Sequence, residues 1–307
     1  MSALKVLVPD ELGLTTLGQS PQLQPVRYTP GRPWPSEGLD ASVVVVGYEN
    51  AAAVGARFPE LPELRLVQTL NAGYEQWLSI LPDGVTLSNG RGAHGGSSAE
   101  WVVAALLSIF RDLREFGDRQ AAGTWQPQVT ETLIGKRAVI LGAGDLGLNL
   151  ARRLAPFEAD VTLVGRRARP GVRALDDIDG LLPDVDVVVA MLPADESTYR
   201  LIDAQFLGKL RDGAVVVNAV RGGAVHTDAL VAELTSGRLR AALDVTDPEP
   251  LPEGHPLWSA PGLLLTPHVA GSTEGAWERA WAVARDQLHR YAAGGPLTNA
   301  VAGPGTP

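Results

Sequence analysis

Apolar residues in this chain come mostly as short unbroken runs rather than in alternation with polar ones. Between the runs lie stretches long enough for a helix or a loop. Strands of this kind suit a parallel sheet covered on both faces, whereas a half-exposed sheet would show a period of two. The first ninety residues hold "ALKVLVPD", "ASVVVVG", "LRLVQTL" and "VTLSN", which predict a small α/β unit. Further on, "KRAVILG", "DVTLVG", "VDVVVAML", "GAVVVNAV", "RAALDV" and "LLLTPHV" predict a second sheet of six strands with helical spacers. "SSAEWVVAALLSIFRDLREF", 97–116, predicts one substantial helix with a serine cap, and "GAWERAWAVARDQLHRYAAG" predicts another near the end. The Pro- and Gly-dense "QPVRYTPGRPWP" is expected to be an irregular surface excursion.

Composition narrows the class. A chain of 307 residues, 45% hydrophobic and 20% charged, is long enough for two domains with separate cores. Its net charge of −9 and pI near 5.1 argue against nucleic-acid or membrane-surface partners, which need a basic face. With no cysteine, disulfides, thiol nucleophiles and thiolate metal sites are all ruled out, and a reducing compartment fits. No apolar stretch reaches the length of a membrane span, so the chain is expected to be cytoplasmic.

The sharpest motif is "KRAVILGAGDLGLNLARRL". A strand is followed at once by Gly142, Gly144 and Gly147 in the order GxGxxG and then by a helix, the context that dinucleotide binding requires. The first glycine permits the tight turn, the second lets a pyrophosphate approach the backbone, and the third lets helix and strand pack closely. Asp145 and Leu146 open the helix whose amides would face the phosphates. Pro193, after the strand "VDVVVAML", is grouped with these cofactor contacts.

About twenty residues past the first glycine, an acid would commonly bind the adenosine ribose of NAD. Here "VTLVGRRARP" offers Gly165, Arg166 and Arg167. A carboxylate would repel the extra phosphate of NADP, and guanidinium groups can grip it, so NADP(H) is the preferred cofactor. The other reading of these arginines is a solvated surface pair, with NAD(H) accepted without an acidic anchor.

Three strand ends carry candidate chemistry. Arg221 follows "GAVVVNAV", Asp244 ends "RAALDV" with Glu249 beyond it between two prolines, and His268 follows "LLLTP". Open α/β sheets bind ligands outside such ends. An arginine can bind a carboxylate and polarise the adjoining carbonyl, and a histidine beside a carboxylate can supply a proton to it. His94 sits in the Gly-rich "NGRGAHGGSS" and is a candidate for the substrate cleft. Among His94, His226, His255 and His289 no metal-ligand spacing occurs, so no metal is assigned.

"GAGDLG", "NAVRGGAVHTDAL", "LDVTDPEPLP" and "TPHVAGST", in this order and spacing, resemble the D-isomer-specific 2-hydroxyacid dehydrogenase family. The resemblance covers nearly the whole length. It implies a Rossmann-type doubly wound parallel sheet over residues 98–275 and a smaller flavodoxin-like α/β substrate domain, discontinuous, from 1–97 and 276–307. It implies Arg221 as the substrate-binding arginine, Glu249 as the acid paired with the histidine, His268 as the proton donor and Asp244 as the holder of the nicotinamide carboxamide. "LNAGYEQW" resembles the substrate loop, so amides near Ala72 and Gly73 would receive the substrate carboxylate. "AGTWQP" around Trp125 resembles a dimer-interface segment, implying a homodimer.

The expected reaction is NADPH-dependent reduction of a small 2-oxoacid, with glyoxylate or hydroxypyruvate leading. A bulkier 2-hydroxyacid and a short phosphoglycerate dehydrogenase are the near alternatives. A dinucleotide-sensing, corepressor-like binding protein is the alternative of another class, since such relatives retain all three residues. Asn71, Tyr74 and "NGRGAHGG" depart from the common pattern, which leaves the choice of substrate open.

Overall fold

The valine-rich runs become the central strands of two sheets in a computed structural model that describes residues 3–47, 49–193 and 195–304. In chain order the strands are β1 (Leu4–Val8), β2 (Leu23–Arg27), β3 (Val43–Val46), β4 (Leu66–Thr69), β5 (Thr86–Ser88), β6 (Arg137–Leu141), β7 (Asp160–Gly165), β8 (Val172–Ala174), β9 (Val187–Ala190), β10 (Val215–Asn218), β11 (Arg240–Leu243), β12 (Leu263–Leu265) and β13 (Ala300–Ala302). The α-helices are α1 (Glu11–Gly18), α2 (Ala51–Gly55), α3 (Glu75–Leu78), α4 (Gly95–Phe110), α5 (Leu113–Ala121), α6 (Asp145–Leu154), α7 (Ala204–Lys209), α8 (Thr227–Thr235) and α9 (Ala276–Ala292). The backbone divides into two units, Met1–His94 with Glu274–Pro307 and the continuous Gly95–Thr273.

The continuous unit holds seven parallel strands in the order β12-β11-β10-β9-β6-β7-β8. The order reverses between β6 and β9, the switch point at which doubly wound sheets bind ligands. Side chains on its strands divide cleanly between two cores. Val139, Leu141, Val188, Ala190 and Val216 pack on one face. Ala138, Ile140, Val187, Val189, Val215 and Val217 pack on the other, under α4 and α6. Each buried Val, Leu or Ile among them contributes about 1.5–3 kcal/mol relative to exposure, which is why runs apolar at every position suit strands covered on both faces.

The discontinuous unit has the order β13-β5-β4-β3-β1-β2, parallel except for β13. Its five parallel strands follow the flavodoxin order. Val44, Val46 and Val67 point to one core and Val43, Val45 and Leu66 to the other. On the second side, Trp281 of α9 is fully buried and donates its indole N–H to Asp10, the residue that caps α1.

Four elements differ from the sequence expectation. The Pro-rich excursion begins as a strand, β2, which tolerates Pro25 because it lies at the sheet edge. The single helix expected over 97–116 is two: α4 starts at Gly95 and ends at Phe110, and Asp112, at φ +50, turns the chain into α5. Aspartate is among the few side chains that adopt this left-handed conformation readily. β8 and β13 are three-residue edge strands that the run pattern does not predict. Among the described residues no helix is long and apolar enough to cross a membrane.

Candidate active site

At the carboxyl edge of the continuous unit, three neighbouring strands each end in a turn that carries a functional group. The turn after β10 is shaped by Asn218, fully buried, whose amide donates to the Arg221 carbonyl (2.8 Å) while its oxygen accepts from Val220 N–H (3.2 Å). Arg221 thereby leaves the sheet in an extended conformation, and its guanidinium donates to the Val220 carbonyl (2.8 Å). Gly222 follows because nothing larger fits: a Cβ there would lie 1.9 Å from the Thr246 carbonyl oxygen. The Arg221 turn is thus pressed against the segment that leads from Asp244 to Glu249.

His268 occupies a left-handed backbone position, φ +55, which costs an L-residue roughly 1–2 kcal/mol. Asp244 holds it there. Only 2% exposed, Asp244 accepts from Thr266 Oγ1 (2.6 Å), Val269 N–H (2.8 Å) and Ala270 N–H (2.8 Å), and its carbonyl accepts from His268 N–H (2.7 Å). A carboxylate with about four lone-pair sites retains capacity for one further donor. The imidazole Nδ1 then stands 2.6 Å from Glu249 Oε1. An ionised carboxylate only accepts, so in that pair Nδ1 carries the hydrogen and Nε2 is left to exchange a proton. Both side chains are close to half exposed.

The glycine loop after β6 is fitted to a ligand at one position and to the protein at two. Gly142, at φ +119, would place a Cβ 2.2 Å from the Met191 carbonyl oxygen of the β9 turn, and Gly147 one 1.8 Å from the Gly142 carbonyl oxygen. At Gly144, the residue before α6, nothing lies within 4 Å of that position. A diphosphate can therefore approach the backbone and the first amides of α6, as a dinucleotide requires. The Asp145 side chain packs instead against Gly95 and accepts from Asn149 (3.0 Å), which leaves its backbone amide as its part in the loop. Leu146 packs into the core beneath α4, and the carbonyl of the exposed Pro193 accepts from Thr198 Oγ1 (2.7 Å).

The turn after β7 carries the arginines. The space beside Gly165 is taken by Val172 of β8, 3.0 Å from where a Cβ would be, so this glycine serves strand packing. Arg166 is exposed and pairs with Asp195 (2.6 Å) from the β9 turn, and Arg167 is exposed. Arg169, passed over in the sequence, donates to the Ala143 carbonyl inside the glycine loop (2.7 Å). Sequence reasoning also missed Asn218, Thr266 and Asp195. Only Asn218 leaves a signal, as a polar residue ending an otherwise apolar run.

In the discontinuous unit, the loop after β4 is tied to the one after β5. Gly90 N–H donates to the Asn71 carbonyl (2.7 Å), Asn89 to the Ala72 carbonyl (2.8 Å), and His94 Nε2 lies 3.4 Å from the Leu70 carbonyl. Ala72, Gly73 and His94 are thus gathered at the carboxyl edge of that sheet. Beyond β3, burial and the nearby Asp10 hold the Glu49 carboxyl above the ordinary glutamate value. Among the described residues no group of three or more His, Cys, Asp or Glu could hold a metal ion.

Residues 103–270 match the family described as D-isomer specific 2-hydroxyacid dehydrogenase, NAD binding domain. The chain is 32% identical over 255 residues to glyoxylate/hydroxypyruvate reductase B of Yersinia enterocolitica, covering 78% of each protein. A D-isomer specific 2-hydroxyacid dehydrogenase from Xanthobacter autotrophicus Py2, solved with NADPH and MES, is 29% identical at a TM-score of 0.82, covering 97% of this chain and 98% of that one. A family protein from Aeromonas salmonicida is 27% identical at a TM-score of 0.83, covering 98% and 99%.

Proposed function

The chain belongs to the D-isomer specific 2-hydroxyacid dehydrogenase family, an oxidoreductase that uses a nicotinamide dinucleotide, and from that membership we propose that it reduces a small 2-oxoacid with NADP(H). Glyoxylate and hydroxypyruvate are the leading substrates, in keeping with the Yersinia relative's name. One observation carries the assignment of roles. The 2.6 Å pairing of His268 with Glu249 stands on the same sheet edge as the Arg221 turn, beside the glycine loop's switch point.

In this reading the bound nicotinamide supplies a hydride to the keto carbon. Arg221 binds the substrate carboxylate and polarises the carbonyl beside it, since a guanidinium fork matches a carboxylate and its charge favours the developing oxyanion. His268 delivers a proton from Nε2 to the carbonyl oxygen and recovers it in the reverse direction. Glu249 fixes the ring by accepting from Nδ1 and offsets the charge of the doubly protonated imidazole. Asp244, with acceptor capacity left, would hold the nicotinamide carboxamide, and amides near Ala72 and Gly73, with His94, serve the substrate.

Support for NADP(H) over NAD(H) comes from the arginine turn, where a ribose-binding acid is replaced by Arg166 and Arg167. The Xanthobacter structure with NADPH points the same way. Almost complete exposure of Trp125 and Val129 supports a homodimer that covers this segment, and the absence of cysteine supports a cytoplasmic location. The test is the initial rate of glyoxylate and hydroxypyruvate reduction with NADPH and NADH in parallel. Turnover favouring NADPH is expected. Protein that binds dinucleotide yet reduces neither acid would overturn the substrate assignment.

A further inference from the structure

The arginine turn is not simply waiting for an anion. One Arg166 Nη2 already donates to Asp195 Oδ2 (2.6 Å) and to Ser197 Oγ (3.2 Å). The partner comes from across the switch point, 29 residues along the chain. Asp195 is itself a built feature rather than a drifting surface acid. Its Oδ1 accepts from Ser197 N–H (2.9 Å) and from Ser197 Oγ, while its own N–H donates to Thr198 Oγ1 (2.9 Å), a side chain 4% exposed that also donates to the Pro193 carbonyl. The Ser197 hydroxyl first, and then Arg166, hold the Asp195 carboxyl below the ordinary aspartate value, so it is an anion at neutral pH. A negative charge is thus fixed on the cation that the NADP(H) reading assigns to the 2′-phosphate.

We infer that Asp195 is a specificity-determining residue: it competes with the cofactor's 2′-phosphate for Arg166 and so sets how strongly this chain discriminates between the phosphorylated and unphosphorylated dinucleotides. The inference rests on the reading of Arg166 as a 2′-phosphate ligand. Two carboxylate effects act together here. The phosphate must displace Asp195 from the guanidinium, and the displaced carboxylate then repels it. Both weaken the phosphorylated cofactor and leave the unphosphorylated one almost untouched. Because the pair is exposed, the effect is modest, on the order of threefold to tenfold in affinity.

The experiment is calorimetric titration of the full chain with 2′,5′-ADP and with 5′-AMP, in the parent, Asp195→Asn, Arg166→Ala and the double variant. Asparagine retains the oxygen that accepts from Ser197 N–H, so the turn is kept and only the charge is lost. Asp195→Asn is expected to tighten 2′,5′-ADP by about threefold to tenfold while 5′-AMP stays within about twofold, and the gain shrinks in the Arg166→Ala background. An unchanged ratio of the two affinities in Asp195→Asn overturns the inference, and if the parent still favours 2′,5′-ADP the NADP(H) reading stands without it. A parent that binds both nucleotides equally, with a preference for 2′,5′-ADP emerging only in Asp195→Asn, upholds the inference and defeats the NADP(H) reading. Near-ultraviolet circular dichroism of each variant checks the fold. Should Asp195→Asn lose it, Asp195→Ser, which keeps a short acceptor, takes its place with the same two expected ratios.

Discussion

Two turns on the same sheet edge each carry a charged group of the candidate site, and they are built in opposite ways. The turn after β12 places His268 in a left-handed conformation over a buried carboxylate that collects three donors. The turn after β7 places Arg166 in solvent, held only by the exposed Asp195 carboxylate and the exposed Ser197 hydroxyl. A group that must meet a reacting atom needs its position fixed from below, because an error of about 1 Å can cost a hundredfold in rate. A group that grips a phosphate needs only reach and charge. The first kind of site is rigid and intolerant of change, and the second can be retuned from the surface.

The contrast can be broken most severely at the histidine. His268→Ala is expected to lower kcat by about 10²–10⁴ while the affinity for dinucleotide is unchanged; a variant within tenfold of the parent rate would remove the ring from the proton path. Next in size, Asp244→Ala strips the buried acceptor from three donors and is expected to destabilise the protein by about 3 kcal/mol in urea unfolding, with Asp244→Asn milder. A loss under about 1 kcal/mol would mean that the turn holds itself. The exposed turn responds less. Arg166→Ala with Arg167→Ala is expected to weaken NADPH by about tenfold and NADH hardly at all, with no change in urea stability, and an equal loss for both cofactors would end the phosphate-clamp reading.

The smallest effect lies in the other sheet. Glu49 has its folded-state pKa raised by burial and Asp10, so its ionisation opposes folding above that pKa and ceases to do so below the unfolded value of 4.5. Glu49→Gln, which still accepts from Gly47 N–H, is expected to raise Tm by about 1–3 °C at pH 7 and to leave it unchanged near pH 3.5. The opposite pH dependence would show that the carboxylate stabilises the loop.

Much of this arrangement is legible in the sequence because burial on both faces writes itself as unbroken valine. Val43–Val46, Val187–Ala190 and Val215–Asn218 are buried at every position and were recognisable as strands. The glycine spacing was equally plain, since each of two glycines meets a backbone oxygen that excludes a side chain. Three of the four sheet edges were not legible, β12 being the exception. β2 contains a proline, and β8 and β13 have three residues each, so their pairing is decided by neighbours rather than by their own pattern. The break at Asp112 was hidden because an aspartate near the end of a helical stretch reads equally well as part of a polar face. The supports of the site were hidden for a related reason. Thr266 and Asp195 act on residues 22 and 29 positions away, and a threonine or an aspartate in a loop gives no sign of what lies across the sheet from it.

Synthesis on the ribosome meets the two units differently. All of Gly95–Thr273 is made without interruption, and its seven strands can pair as soon as that stretch has emerged. The other unit begins first and finishes last. Trp281 closes its core against Gly13, where a Cβ would lie 2.5 Å from the indole, and Asn299 ties β13 to the β5 turn through the Asn89 and Arg91 carbonyls. The nascent amino-terminal segment must therefore hold β1–β5 with one apolar face uncovered while some 180 residues are translated, a window in which chaperone binding or aggregation competes with folding.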